Sequence, residues 1–212
     1  MSNQNPTVFV VDDDLSLRKA LSRLLKSEGY DVETFSSAQE FLHADPRCEG
    51  PACLLLDVKM PGLNGLDLQQ ELHKREYAIP IVFITGHGDI PMGVKAMKKG
   101  AIEFLTKPFD DEVLLGAVEE ALKKDMANRS AMNERQSILQ RVKLLTPREY
   151  EILTYVITGM LNKQIAYDLD ISEKTVKVHR GRVMEKLGID SVAELVRLTE
   201  KAGIEPVQVS DI

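Results

Sequence analysis

Apolar residues fall along this chain in two rhythms. In the first half, TVFVV (7–11), CLLL (53–56) and IVFI (81–84) are short runs without polar alternation. Strands of that kind bury both faces, as in a parallel sheet covered by helices on each side. DVETF (31–35) and IEFL (102–105) are further strand candidates. Between the runs the spacing turns helical. Leu17, Leu21, Leu24 and Leu25 share one face of a segment closed by Gly29, and a serine opens SAQEFLHA (37–44). Helices are also predicted from about Gly65 to Arg75, from about Ile90 to Lys99, and from about Asp111 onward. Five strands alternating with five helices predict an α/β unit with a parallel sheet.

The second half shows no strand pattern. KDMANRSAMNERQSILQRV (124–142) lacks Pro and Gly, is rich in helix formers and carries few apolar residues. It is expected to be a helical linker continuing the fifth helix; a disordered tether is the alternative. At LLTPREYEIL, Thr146 is a good N-cap, Pro147 fits the first helical position and Glu149 completes a capping box. Short helices follow over NKQIAYDL (162–169), over EKTVKVHRGRVMEKL after Ser172 and up to Gly188, and over SVAELVRLTEKA up to Gly203. The expected division is therefore 1–124, a helical linker at 125–141, and a four-helix all-α unit at 142–212.

Length and composition leave room for two small domains: 212 residues, 43% hydrophobic and 28% charged. No apolar run approaches a membrane span, and the start MSNQNPTVFVVDDD has neither a charged n-region nor a cleavage site, so a cytoplasmic location without membrane partners is expected. Cys48 and Cys53 have no Cys/His cluster around them and read as free thiols or small buried residues. Charge is uneven. Residues 1–124 carry 20 acidic against 14 basic side chains, whereas 142–203 carry 10 basic against 9 acidic. Lys174, Lys177, Arg180, Arg182 and Lys186 crowd one short stretch with only Glu185 among them, which hints at nucleic acid.

Polar residues sit where the apolar runs stop. Asp12 and Asp13 follow the first strand, Asp57 ends the third, Thr85 the fourth and Lys107 the fifth. Ligands of open parallel sheets bind at the carboxyl ends of the strands. If strands one, three, four and five are neighbours, these five residues converge on one edge. Crowded carboxylates raise one another's pKa unless a cation is present, and Mg2+ suits such a set. Lys107 and the Thr85 hydroxyl would then serve a phosphoryl group on Asp57. In the second unit, Val176, Val183 and Leu187 recur at helical spacing as a core face, with Lys174, Lys177, Val178, Gly181 and Arg182 on other faces. A capped helix after a short helix and a tight turn has the layout of a helix-turn-helix, whose second helix enters the major groove. A solvated basic face is the plainer alternative, but the preceding short helix, the tight turn and the capped entry favour DNA.

VVDDD, LLLDVKMPG, FITGHGD and EFLTKPF, in that order and spacing, resemble a response-regulator receiver domain over residues 7 to about 124. The resemblance implies a flavodoxin-like fold and Asp57 as phosphoacceptor for a sensor histidine kinase. It implies Mg2+ on Asp12, Asp13, Asp57 and the Lys59 carbonyl, with Thr85 and Lys107 as phosphoryl partners. A cis bond before Pro108 and a switch in which Thr85 and Phe104 move together, with Gly86 leaving space, belong to the same set. LTPREYEIL, GMLNKQIA, ISEKTVKVH and KLGI resemble a LuxR/FixJ-type DNA-binding domain over about 142–203. That implies base contacts from Lys177 and Val178, backbone contacts from Asn162, Lys163, Thr175, His179 and Arg180, and dimer contacts from Val192, Leu195 and Val196. Gly181 departs from the longer side chain that many relatives carry.

The whole chain is similar to two-component response regulators of the FixJ/StyR type. Such a protein is a transcription factor, expected to be an activator, that is switched by phosphorylation and dimerisation on promoter DNA and meets RNA polymerase. It would not be an enzyme beyond its own phosphorylation and slow dephosphorylation. Two other classes compete: an aspartyl-phosphate hydrolase using Asp12 and Asp14, and an RNA-binding antiterminator carrying a receiver.

Overall fold

The uninterrupted apolar runs form the interior strands of a five-stranded parallel sheet ordered β2-β1-β3-β4-β5. In this computed structural model, which describes residues 5–86 and 90–208, the chain divides into two units, residues 1–129 and 130–212. The first contains β1 (Thr7–Val11), α1 (Leu15–Ser27), β2 (Asp31–Phe35), α2 (Ala38–Ala44), β3 (Ala52–Asp57), α3 (Gly65–Lys74), β4 (Ile81–Thr85), α4 (Ile90–Lys98) and β5 (Glu103–Thr106). Helix α5 (Asp111–Val142) runs on without interruption into the residues of the second unit.

Alternation along the interior strands sends side chains to both faces, so every residue of β1, β3 and β4 is buried. Phe9, Leu54, Leu56 and Phe83 point to one face, where Phe41, Leu68 and Ala96 of α2, α3 and α4 cover them. Val8, Val10, Leu55 and Ile84 point to the other, against Leu21 and Leu25 of α1 and Leu114 and Val118 of α5. Leu54, Leu55 and Leu56 are wholly buried, each contributing about 1.5–3 kcal/mol. Strands β2 and β5 lie at the sheet edges and are correspondingly more exposed. Cys48 and Cys53 are free thiols, the second fully buried in the core under α1 and α5.

The second unit contains α6 (Pro147–Val156), α7 (Asn162–Asp168), α8 (Glu173–Leu187) and α9 (Val192–Ala202). Thr146 and Glu149 form the expected capping box. Ser172 and Ser191 cap α8 and α9, and both helices end on left-handed glycines, Gly188 and Gly203.

The stretch 125–141 is helical and continues the fifth helix, as expected, and several of its side chains are anchored. Asp125 is 2% exposed and accepts from the Ala52 N–H at 2.9 Å. Arg129 bonds Asp125 and donates to the Cys48 and Glu49 carbonyls. Further on, Ile138 is 2% exposed in the core of the second unit. Ile138, with the half-buried Leu139 and Val142 beside it, and a few charged anchors do the packing, too few apolar positions to set a period over the stretch. Leu195, expected at a dimer face, is 0% exposed and completes the core of its own unit. Val192 and Val196 remain half-buried at the surface.

Candidate functional sites

The sheet order makes β1, β3, β4 and β5 neighbours, and their carboxyl ends gather the residues picked out above. One oxygen each from Asp12, Asp13 and Asp57 lies within 4.8 Å of the others. Asp12 and Asp57 are buried and Asp13 is exposed. Asp12 is held from two sides, by the Asp14 N–H at 2.8 Å and by Lys107 Nζ at 2.8 Å. Lys107 Nζ also stands 3.5 Å from Asp57 Oδ2, so one ammonium bridges two carboxylates. The neighbouring backbone is tied down as well, since the Lys107 N–H donates to the Thr85 carbonyl at 2.8 Å.

Burial pushes the Asp57 carboxyl above its ordinary range. Lys107 opposes that shift, Asp12 adds to it, and the nearby N–H groups of Lys59 and Val58 oppose it. Asp57 Oδ1 is buried without a hydrogen-bond partner among the described residues. An orphaned acceptor beside two further carboxylates is a donor set that fits a hard divalent cation. Asp12, Asp13 and Asp57 would hold it.

Thr85 is fully buried and Gly86 exposed at the end of β4. Phe104 is half-buried, its ring 6.3 Å from that of Phe83. It packs against Gly93 of α4, where an added Cβ would come within 3.3 Å of the ring. The Lys107–Pro108 bond is cis. Lys59 is exposed directly after the buried Val58. The last part of FITGHGD, His87 to Asp89, lies outside the described residues. Asp14, which a hydrolase would need as a second acid, instead caps α1 by accepting from the Ser16 and Leu17 N–H groups.

In the second unit, α7 and α8 form the helix-turn-helix. Val176, Val183 and Leu187 are buried. Lys174, Lys177, Val178, Gly181 and Arg182 are all exposed, Val178 by 45%. At helical spacing they make one outward face, mainly basic, with a flat spot at Gly181 where an added Cβ would meet nothing within 4 Å. Lys163 is exposed on α7, and Thr175, His179 and Arg180 are half-buried. Some of these side chains already have partners. Arg180 donates to Asn162 Oδ1 at 2.9 Å, linking α8 to α7, and the Thr175 and Ser172 hydroxyls bond at 2.8 Å.

Glu149, first read only as half of a capping box, is 2% exposed and accepts from Lys186 Nζ at 2.6 Å. Its bonds to Lys186 and to the Thr146 N–H hold its carboxyl at about 2, against an ordinary 4.5. A lowered carboxyl pKa adds stability above the unfolded value, and that stability is lost as pH falls through the folded value. Glu149→Gln is therefore expected to destabilise the second unit fully at pH 7. The gap from wild type should close between about pH 4.5 and 2, as read from denaturation midpoints across that range.

An acid cluster at the carboxyl edge of a doubly wound sheet, followed along the chain by a basic helix-turn-helix, defines a response regulator with a DNA-binding output domain. The chain belongs to that family: residues 8–119 match the response regulator receiver domain, and residues 143–199 match the bacterial regulatory proteins of the luxR family. Over 201 residues it is 47% identical to the response regulator protein TodT of Pseudomonas putida, covering 95% of this chain and 88% of that one. It is 41% identical over 197 residues to the transcriptional regulatory protein FixJ of Bradyrhizobium diazoefficiens, covering 93% and 96% of the two chains. The solved structure of the response regulator StyR aligns with a TM-score of 0.79 at 51% identity, covering 93% of this chain and 100% of that one. No helix among the described residues is long and apolar enough to cross a membrane.

Proposed function

We propose that Asp57 takes a phosphoryl group from a phosphohistidine of a sensor kinase and that this controls duplex DNA binding by α8. The supporting observation is the placement of Lys107 Nζ, 2.8 Å from Asp12 and 3.5 Å from Asp57, beside three converging carboxylates. An Asp57 oxygen attacks phosphorus; the new O–P bond forms as the P–N bond breaks, and the imidazole nitrogen leaves with the electron pair. Asp12, Asp13, Asp57 and the Lys59 carbonyl would hold Mg2+, which when bound would neutralise charge on the transferring group. Lys107 adds a fixed cation. Thr85 and Phe104 then carry the change toward α4 and β5, a local charge event biasing a packing element.

On DNA, Lys177 and Val178 read base edges, with Lys174 and Arg182 beside them on the same face. Lys163, Thr175, His179, Arg180 and Asn162 serve the phosphate backbone. Phosphorylation favours a homodimer, to which Val192 and Val196 contribute. The protein acts in the cytoplasm as an activator that meets RNA polymerase. Apart from its own phosphorylation and slow dephosphorylation it catalyses nothing.

The test is intact mass after incubation with acetyl phosphate. Wild type is expected to gain one phosphoryl group with Mg2+ present and at least tenfold less with EDTA, since paired carboxylates repel an incoming phosphate without the cation. The phosphorylated chain should then bind a selected DNA duplex more tightly and sediment as a dimer. No gain in mass with Mg2+, on a donor verified with a control receiver, rules the proposal out.

A further inference from the structure

We infer that the end of α5 is a working part of the DNA-binding unit, and that Arg141 is a positioning residue for α8. The inference rests on the reading of α8 as the helix that meets DNA. Arg141 Nη1 donates to the carbonyl of Leu187 at 2.6 Å. Leu187 is the last residue of α8 and is fully buried, and the chain turns away through left-handed Gly188. Arg135, six residues earlier on α5, does the same for α9: its Nε donates to the carbonyl of Ala202 at 3.3 Å, again just before a left-handed glycine. Ile138, between the two arginines, is 2% exposed in the core of this unit.

The last carbonyls of a helix lack intrahelical donors and carry partial negative charge. A guanidinium answers both needs with a strong, directional bond. At α8 the contact is reinforced by Lys186, whose Nζ reaches the Leu144 carbonyl at 3.1 Å and Glu149 at 2.6 Å. The carbonyl end of α8 is thus fixed by groups from outside the helix.

Leverage gives that fixation its functional meaning. Lys177 lies about 15 Å along the axis from Leu187 at the ordinary helical rise. A tilt of about 10° at the fixed end would carry the base-facing side chains about 2–3 Å, more than a hydrogen bond tolerates. Arg141 therefore serves sequence readout, whereas Arg135 secures a helix without base contacts. Neither arginine lies in the luxR-family match, which starts at residue 143.

The two arginines provide their own comparison. Arg141→Gln and Arg135→Gln each remove one cationic cap from a helix end of the same unit. Both are made in the full chain and measured with and without acetyl phosphate, below the unfolding transition of the weaker variant. The probes are a duplex enriched by wild type from random-sequence DNA and a scrambled duplex of the same composition. Arg141→Gln is expected to lower the selected-to-scrambled affinity ratio about tenfold, the weight of one charge-assisted hydrogen bond. Affinity for the scrambled duplex, set by phosphate contacts, should move less than twofold. Arg135→Gln should leave the ratio within twofold, and Arg141→Lys should restore part of it. Equal loss in both glutamine variants, or none in either, overturns the inference and leaves the arginines as staples. Failure of wild type to enrich any duplex removes the DNA reading itself, and the inference with it.

Discussion

The Asp57→Asn chain is expected to gain no phosphoryl group from acetyl phosphate under conditions where wild type gains one. Asparagine keeps the shape of the side chain but removes the nucleophilic oxygen and one of the three clustered carboxylates. A second, independent result follows from the electrostatics. The carboxyl of Asp57 is raised by burial and by Asp12, with Lys107 opposing, so without a divalent cation the ionised group disfavours the fold. For a raised carboxyl, stability is full below the unfolded pKa and is lost as pH rises through the folded one. Without Mg2+, Asp57→Asn should unfold at a higher temperature than wild type near pH 7, and the difference should shrink as pH falls toward about 4. Saturating Mg2+ should reverse the order, because a cation at a hundred times its dissociation constant adds about 2.7 kcal/mol to a chain that binds it. Intact mass and unfolding midpoints with and without Mg2+ read both effects. Phosphoryl gain by Asp57→Asn would move the acceptor to another residue, with Asp12 and Asp13 the first to replace.

What could be read from the sequence follows from where each signal is stored. Strands β1, β3 and β4 announce themselves because burial on two faces leaves no polar position, and their ends then fix where Asp12, Asp57 and Thr85 sit. Convergence of Lys107 with the acids on one edge follows from the assumed strand order, whereas its direct pairing with Asp12 is visible only in the fold. Contacts made by isolated residues left no comparable trace. Ile138, Leu139 and Val142 are a few apolar residues at the end of a polar stretch, too short a run to establish a period. Arg141 and Leu187, or Glu149 and Lys186, meet only after four helices have packed. Leu195 shows the opposite failure: helical spacing marks a buried face without saying whether its own core or a second chain covers it. Asp14 is a similar case, an acid near the site whose carboxylate is committed to capping α1.

Gly65 belongs with the hidden residues, and its replacement should have the largest structural effect in the receiver. In the sequence it only marks the approximate start of a predicted helix. In the fold it is the first residue of α3, its N–H donates to the Val58 carbonyl at 3.0 Å, and its Cα faces the end of β3. A methyl group there would overlap the Asp57 carbonyl oxygen and stand 3.1 Å from Leu56 Cγ. Neither neighbour is a flexible tip. The backbone at Asp57 would have to move, or α3 would have to back away from the sheet. Gly65→Ala is therefore expected to cost about 1–3 kcal/mol, a fall in midpoint of roughly 4–12 °C for a unit of this size. Displacing Asp57 by a fraction of an ångström should also slow phosphoryl uptake, by about 10–100-fold. Gly116, exposed within α5 with nothing within 4 Å of an added Cβ, supplies the contrast: Gly116→Ala should stabilise by about 0.5–1 kcal/mol through helix propensity alone. Thermal melts and uptake rates of the two alanine variants separate the effects. If Gly65→Ala melts with wild type and takes up phosphate at the same rate, the entrance of α3 yields freely and Asp57 is not held by that contact.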